Sequence, residues 1–245
     1  MRRLHGWILA LMLGAAPVYA QNLGAPGPLT KAMPGLSGKA TLGFLSTSGN
    51  TESTNANASL ALIYQLDAWQ HNFGLSAIGA SSGNVTTAEA YKAQYEARRD
   101  IRTHGYAFTA LDWNRDRFSG YERQASATAG YGRRLVDRER QSLDGGLGIG
   151  ARESVPVGGL RVRETIGRAA LGYIFKLSDT SEFDQTLVVE SGSTNTSTES
   201  VTSLKAGLFG NVALVLSYRL KNNSEVPVGL VNTDRFSSVS LEYAF

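Results

Sequence analysis

The chain contains no cysteine, which excludes disulfides, thiolate nucleophiles and thiolate metal sites together. Histidine is scarce: His5, His71 and His104 are the full set, too few and too scattered for the clusters that hold zinc. Beyond residue 20 no apolar run approaches the roughly 20 residues that a membrane-spanning helix needs, and no apolar stripe of helical period persists. If the mature chain crosses a membrane, only a closed β-barrel remains, because closure alone satisfies every backbone N–H and C=O away from water. A surplus of one charge is lacking too. The formal charge is +3, and removal of Arg2 and Arg3 with a leader lowers it to +1. A nearly neutral chain lacks the broad basic surface of nucleic-acid binding, so no nucleic-acid partner is expected.

What is present begins with MRRLHGWILALMLGAAPVYA, residues 1–20. A positive tip, a short apolar run from Trp7 and the small residues of Val18-Tyr19-Ala20 form the pattern of a secretory signal peptide cleaved before Gln21. Residues 21–37 hold three prolines and several glycines without a period and are expected to form a flexible periplasmic arm. Residues 38–245 show no composition shift and are expected to form one domain.

That domain alternates. Its last residues, SSVSLEYAF, place Val239, Leu241, Tyr243 and Phe245 on one side and Ser238, Ser240 and Glu242 on the other. The same twofold period recurs in twelve segments, near 38–47, 54–65, 69–80, 88–98, 106–114, 124–133, 141–153, 163–175, 182–190, 197–209, 212–220 and 236–245. Segments of about ten alternating residues are the signature of transmembrane barrel strands. Tyr64, Trp69, Tyr173, Phe175, Tyr218, Tyr243 and Phe245 cluster near strand ends, where an interfacial girdle requires them. Short and long connections alternate, which places both termini with the short periplasmic turns and the longer loops outside. A secreted β-sandwich also alternates. Its strands are usually about five or six residues long, and twelve would leave edges to guard. The expected fold is therefore all-β: a single-domain transmembrane antiparallel β-barrel of twelve strands, closed by pairing the last strand with the first.

Three stretches carry a family resemblance: LGFLSTSGNTE at residues 42–52, the segment 88–95, and DWNRDRFSGYERQASATAGYGRRLVDRER at 112–140. Together they resemble the salt-induced outer-membrane protein family (YdiY-like, a family of unknown function), and the likeness runs over residues 38–245. It implies an outer-membrane barrel of a Gram-negative bacterium, set among outer-membrane lipids and lipopolysaccharide. The aromatic pair Tyr243 and Phe245 at the C-terminus resembles the signal read by the barrel assembly machinery, a partner during biogenesis.

The register directs Lys92, Glu96, Arg98, Asp144, Arg152, Glu164, Arg168, Glu182, Asp184, Glu190, Lys205, Arg219 and Glu242 inward, where charges persist only if paired or hydrated. Asp112, Arg115, Asp116, Arg117, Glu122 and Arg123 form a dense charged stretch expected at the extracellular rim. Catalysis finds little support. His71 shares the lipid face with Trp69 and Phe73, His104 lies in a short turn, and neither belongs to a hydrolytic motif. No metal set or cofactor is expected, and the glycine run 145–150 lacks the helix and lysine of a phosphate loop. Two functions remain open: a narrow channel for small solutes or ions linked to salt or osmotic stress, and a non-conducting structural envelope protein whose lumen is closed by charge bridges. An outer-membrane hydrolase is a minor third.

Overall fold

The structure, a computed structural model, describes residues 35–47, 53–83, 85–116 and 120–245. The leader, the arm up to residue 34 and Arg117 lie outside the described residues. Twelve strands follow one another: β1 (Gly35–Thr47), β2 (Ser53–Leu66), β3 (Trp69–Ser82), β4 (Val85–Arg102), β5 (Gly105–Asp116), β6 (Tyr121–Arg138), β7 (Gln141–Pro156), β8 (Val162–Lys176), β9 (Ser181–Ser191), β10 (Thr196–Phe209), β11 (Val212–Asn223) and β12 (Thr233–Ala244). Each pairs antiparallel with the next, and β12 pairs with β1 to close the barrel. Among the described residues no helix is long and apolar enough to cross a membrane; this chain crosses with strands.

The distribution of side chains is inverted relative to a water-soluble domain. Leu42, Phe44, Leu75, Leu147, Ile149 and Leu241 are exposed on the outside, whereas Arg98, Arg152, Arg168, Arg219, Lys221 and Glu242 are buried. Hydrocarbon covers the first set, and the wall shields the second. A sandwich would bury the apolar set between its sheets, and here it is bare.

Several strands run past the end of their alternation. β4 continues to Arg102, β6 to Arg138 and β11 to Asn223, whereas the pattern of faces ends near Arg98, Arg133 and Leu220. Two causes combine. Bulges between Asp100 and Arg102 and between Arg134 and Val136 insert an extra residue and break the period. Strand tips beyond the hydrocarbon are also free of lipid on their outer face, so nothing selects apolar residues there, although at the tip of β11 Lys221 and Asn223 still alternate inward. At the start, Gly35, Leu36 and Ser37 pair with Gln65, Tyr64 and Ile63, so β1 begins inside the stretch expected as an arm.

One wall of the periplasmic half of the interior carries a small aromatic cluster. Tyr106, Phe108 and Ala110 of β5 are all buried and packed together. They fit because the neighbouring strands offer glycine: a methyl group at Gly132 would overlap the Tyr106 ring, and one at Gly130 or Gly148 would press on Phe108. The glycines are therefore a floor for two rings, which the strand pattern alone could not distinguish from loosening of the sheet.

Candidate functional site

The site is the interior of the barrel, and its charges occur in three groups. The largest lies toward the extracellular end. Arg168 of β8 places Nη1 2.7 Å from Glu190 Oε1 and 3.2 Å from Asp112 Oδ2. Ser126 also donates to Glu190 at 3.2 Å, and Gln94 donates to Asp112 at 2.5 Å. Beside them Arg152 Nη2 donates to Glu164 Oε1 at 2.8 Å. Lys92 of β4 reaches Glu199 of β10 at 3.0 Å, six strands around the ring and hence across the lumen, and Arg219 meets the same carboxylate at 3.1 Å. All of these side chains except Glu164 and Arg219, together with Lys221, line a cavity of about 70 Å³, room for a few water molecules.

A second group lies toward the periplasm on the opposite wall. Glu242 forms ion pairs with Lys205 at 2.7 Å and with Lys39 at 3.7 Å. Glu182 stands opposite Lys205 in the β9–β10 ladder, and Asp184 lines a cavity of about 20 Å³ with Lys39, Lys205 and Glu242. The third group backs the aromatic floor. Arg98 pairs with Glu96 and lies over the Tyr106 ring at 4.7 Å, while Asp144, 3 % exposed, is 3.8 Å from Arg134 Nε.

The rim residues separate. Asp112 does not belong to the rim: it stands on β5 opposite Gln94 and reaches the lumenal arginine. Residues 112–116 continue the strand, so alternation turns Asp112 inward and leaves Arg115 exposed on the outside. Asp116 closes β5, and Glu122 is exposed near the start of β6. Arg123 faces Glu153 at 3.3 Å, and Arg161 and Arg163 approach the same carboxylate at 3.3 and 2.8 Å. One acid thus holds three arginines on the outer rim. At the other end Tyr243 and Phe245 stack 6.2 Å apart, and the Phe245 backbone exchanges hydrogen bonds of 2.8 and 2.9 Å with Gly38. His71 places Nδ1 2.9 Å from the Tyr95 hydroxyl and stacks with Trp69 and Tyr95, a member of the aromatic girdle. Among the described residues no group of three or more His, Asp or Glu is placed to hold a metal.

Lys39, Glu199 and Lys221 were absent from the inward set read from sequence. The signal was available for two of them: Glu199 shares parity with Lys205 on β10, and Lys221 with Arg219 on β11. A cap over the extracellular mouth had no such signal. Residues 224–232 fold across toward β6, where the Tyr121 hydroxyl donates to the Glu225 carbonyl at 2.9 Å, and Pro227 and Leu230 come close to Gly120. Asn195, in the loop between β9 and β10, braces the cap. Its side-chain oxygen accepts from Glu225 N at 3.2 Å and Ser224 Oγ at 3.3 Å, and its carbonyl accepts from the Arg152 guanidinium. Thr194 anchors the same loop with two 2.8 Å bonds to Glu164.

An apolar lipid-facing exterior around a charged, capped interior defines a porin-like outer-membrane β-barrel. More particularly, the chain belongs to the family described as "Protein of unknown function, DUF481", which matches residues 40–245. A relative from Escherichia coli K12, "Uncharacterized protein YdiY", is 27% identical over 208 residues, covering 84% of this chain and 82% of the relative. Among solved structures, an outer membrane channel from Pseudomonas putida F1 superposes with a TM-score of 0.55 at 12% identity, covering 90% of this chain and 99% of that one. That likeness concerns the fold.

Proposed function

We propose that the protein is a narrow outer-membrane channel for small ions or solutes, closed at rest by its mouth cap and its lumenal ion pairs. The observation that carries this reading is the composition of the interior. A barrel built only as an inert wall can be filled with apolar side chains, which avoid the desolvation cost of buried charge. This one instead lines a cavity with Lys92, Arg152, Arg168, Lys221, Asp112, Glu190 and Glu199. Both signs are present, so selection rests on the width left when the bridges part more than on net charge. Opening requires two local events: release of residues 224–232 from Tyr121 and separation of Arg168 from its two carboxylates. Lumenal conduction through the set read from sequence, and any link to salt stress, belong to this proposal.

A second reading, a non-conducting envelope protein, is favoured by the Lys92–Glu199 bridge across the lumen and the small cavities. Reconstitution in planar bilayers separates the two. Conductance steps that enlarge in the Arg168→Gln variant support the channel; silence from both the native chain and the Arg168→Gln/Tyr121→Phe variant supports the structural role. On the outside, Arg123, Arg161 and Arg163 exceed the one carboxylate they share, which suits the phosphates of lipopolysaccharide at the rim. Tyr243 and Phe245 are proposed as the contact for the assembly machinery.

A further inference from the structure

The seam that closes the barrel is only partly sewn. Among the described residues, β1 and β12 are partnered at four positions, from Lys39–Ala244 to Leu42–Leu241, with the Gly38–Phe245 hydrogen bonds below. Both strands continue toward the extracellular side, β1 to Thr47 and β12 back to Thr233. Each stays fully paired with its other neighbour, β2 and β11 respectively. Above Leu42 and Leu241 the ladder therefore stops while the strands do not.

A side chain stands in for the missing backbone bonds. Asn57 of β2 reaches over Gly43 and donates to Ser240 of β12 at 3.4 Å, a path that any side chain at position 43 would block. Around this latch runs a cavity of about 940 Å³. Its walls mix both faces of the sheet: Leu42, Phe44, Val239 and Leu241 point outward, whereas Asn57, Ile78 and Ser240 point inward. The lining thus includes residues of both faces of the wall where the β1–β12 ladder is interrupted. Ile78 and Ala80 of this lining belong to an apolar corner of the lumen, where they pack with Ala90 and Phe236.

The level of the opening identifies what meets it. Phe44 and Val239, 72 % and 58 % exposed, are the uppermost apolar residues on the outer faces of their strands for which exposure is described, and above Val239 the outward positions of β12 are Ser237 and Arg235. The opening thus begins at the outer-leaflet edge of the hydrocarbon. Its bare strand edges can be hydrated from above, which a gap deeper in the bilayer would not allow, while its floor contacts lipid chains. We propose that the upper β1–β12 seam is a lateral portal that admits an acyl chain of an outer-leaflet lipid, whose end rests against Ile78, Ala80, Ala90 and Phe236. The proposal does not depend on lumenal conduction.

Tryptophan quenching by acyl-brominated lipid tests it. Trp7, Trp69 and Trp113, the chain's three tryptophans, are replaced by phenylalanine, and Phe236→Trp is introduced into the full chain. The protein is refolded into vesicles of phosphatidylcholine or of its acyl-brominated analogue. The matched control is Val188→Trp, which lines the lumen near the extracellular end of β9, where both flanking ladders are continuous. Loss of emission in brominated vesicles at position 236 but not at position 188 is expected. Equal emission loss at the two positions, or none at either, overturns the portal. Ile78→Trp probes the same corner from β3 and decides the matter if the Phe236 variant does not fold. Quenching at 236 that appears only after a free brominated fatty acid is added assigns the opening to a soluble amphiphile and overturns the lipid-chain occupant. Conductance measured on the same samples varies independently, so failure here is distinguishable from failure of the channel reading.

Discussion

Arg168 on β8 and Glu190 on β9 are cross-strand neighbours whose side chains meet at 2.7 Å inside the barrel. The same guanidinium holds Asp112 of β5 at 3.2 Å, so one side chain that is 4 % exposed ties three strands through the lumen. Arg168→Gln leaves two carboxylates without their shared cation, and among the described residues Arg152, 3.9 Å from Glu190, is the remaining ion-pair partner. Removing one member of a buried pair costs roughly 3–5 kcal/mol, and the neighbouring cavity places this case at the low end. The urea midpoint of unfolding in vesicles should fall accordingly. If the lumen conducts, unitary conductance should rise in the same variant, because the bridge across the cavity is gone.

The cap offers a gentler perturbation. Tyr121→Phe removes the single hydroxyl that donates to the Glu225 carbonyl and leaves the ring against the mouth. A neutral hydrogen bond contributes about 1 kcal/mol, so the barrel should keep its thermal midpoint within a degree or two while the cap opens more often. Amide exchange in residues 224–232 should quicken roughly fivefold, the factor that such a free energy implies. Unchanged exchange would show that the remaining contacts, Asn195 among them, hold the cap without the Tyr121 hydroxyl.

The aromatic floor predicts a coupled pair of effects. Gly132→Ala drives a methyl into the Tyr106 ring, which has no room to retreat because Arg98 lies over it at 4.7 Å. Overpacking of this kind costs about 1–3 kcal/mol. In a Tyr106→Ala background the same change should be nearly neutral, and the interaction term of a double-mutant cycle measured by chemical unfolding isolates the contact.

The sequence read well wherever lipid imposed a period. The outward set Leu147, Ile149, Leu171 and Leu241 and the inward set Arg98, Arg168 and Arg219 follow from alternation alone, because a single-residue slip would move every charge into hydrocarbon. Where the period ends, so did legibility. Asp112 looked like rim because its neighbours Asp116 and Arg123 are charged on both faces, and charge density conceals parity. The cap was invisible because residues 224–232 obey no period; their placement rests on scattered hydrogen bonds with Tyr121, Asn195 and Thr196 and within the segment itself. The open seam was hidden for a different reason. Phe44 and Val239 alternate equally well whether or not their strands are paired, so alternation fixes which face a residue takes but not its partner across the closure.

That closure gives Phe245 a share in the seam that can be separated from any part in recognition. Phe245 contributes two backbone hydrogen bonds to Gly38, and its ring lies where any side chain at Gly38 would stand. Elsewhere in the barrel the loss of one such pair would be shared by a long ladder. Here it would fall on a seam of four partnered positions, so deletion of Phe245 removes a large fraction of what holds β12 to β1. Two outcomes then have to be separated: a barrel that cannot close and one that is not recognised for insertion. Refolding into lipid vesicles without any assembly factor isolates the first, and recovery from outer membranes of expressing cells reports both. The deletion should lower the heat-modifiable, folded fraction in each setting, more severely in cells. Phe245→Ala retains the backbone pair and should refold in vesicles like the native chain while still accumulating poorly in cells, because only the aromatic ring has gone. Full recovery of Phe245→Ala in cells would remove the C-terminal ring from any part in recognition and leave its role to the seam.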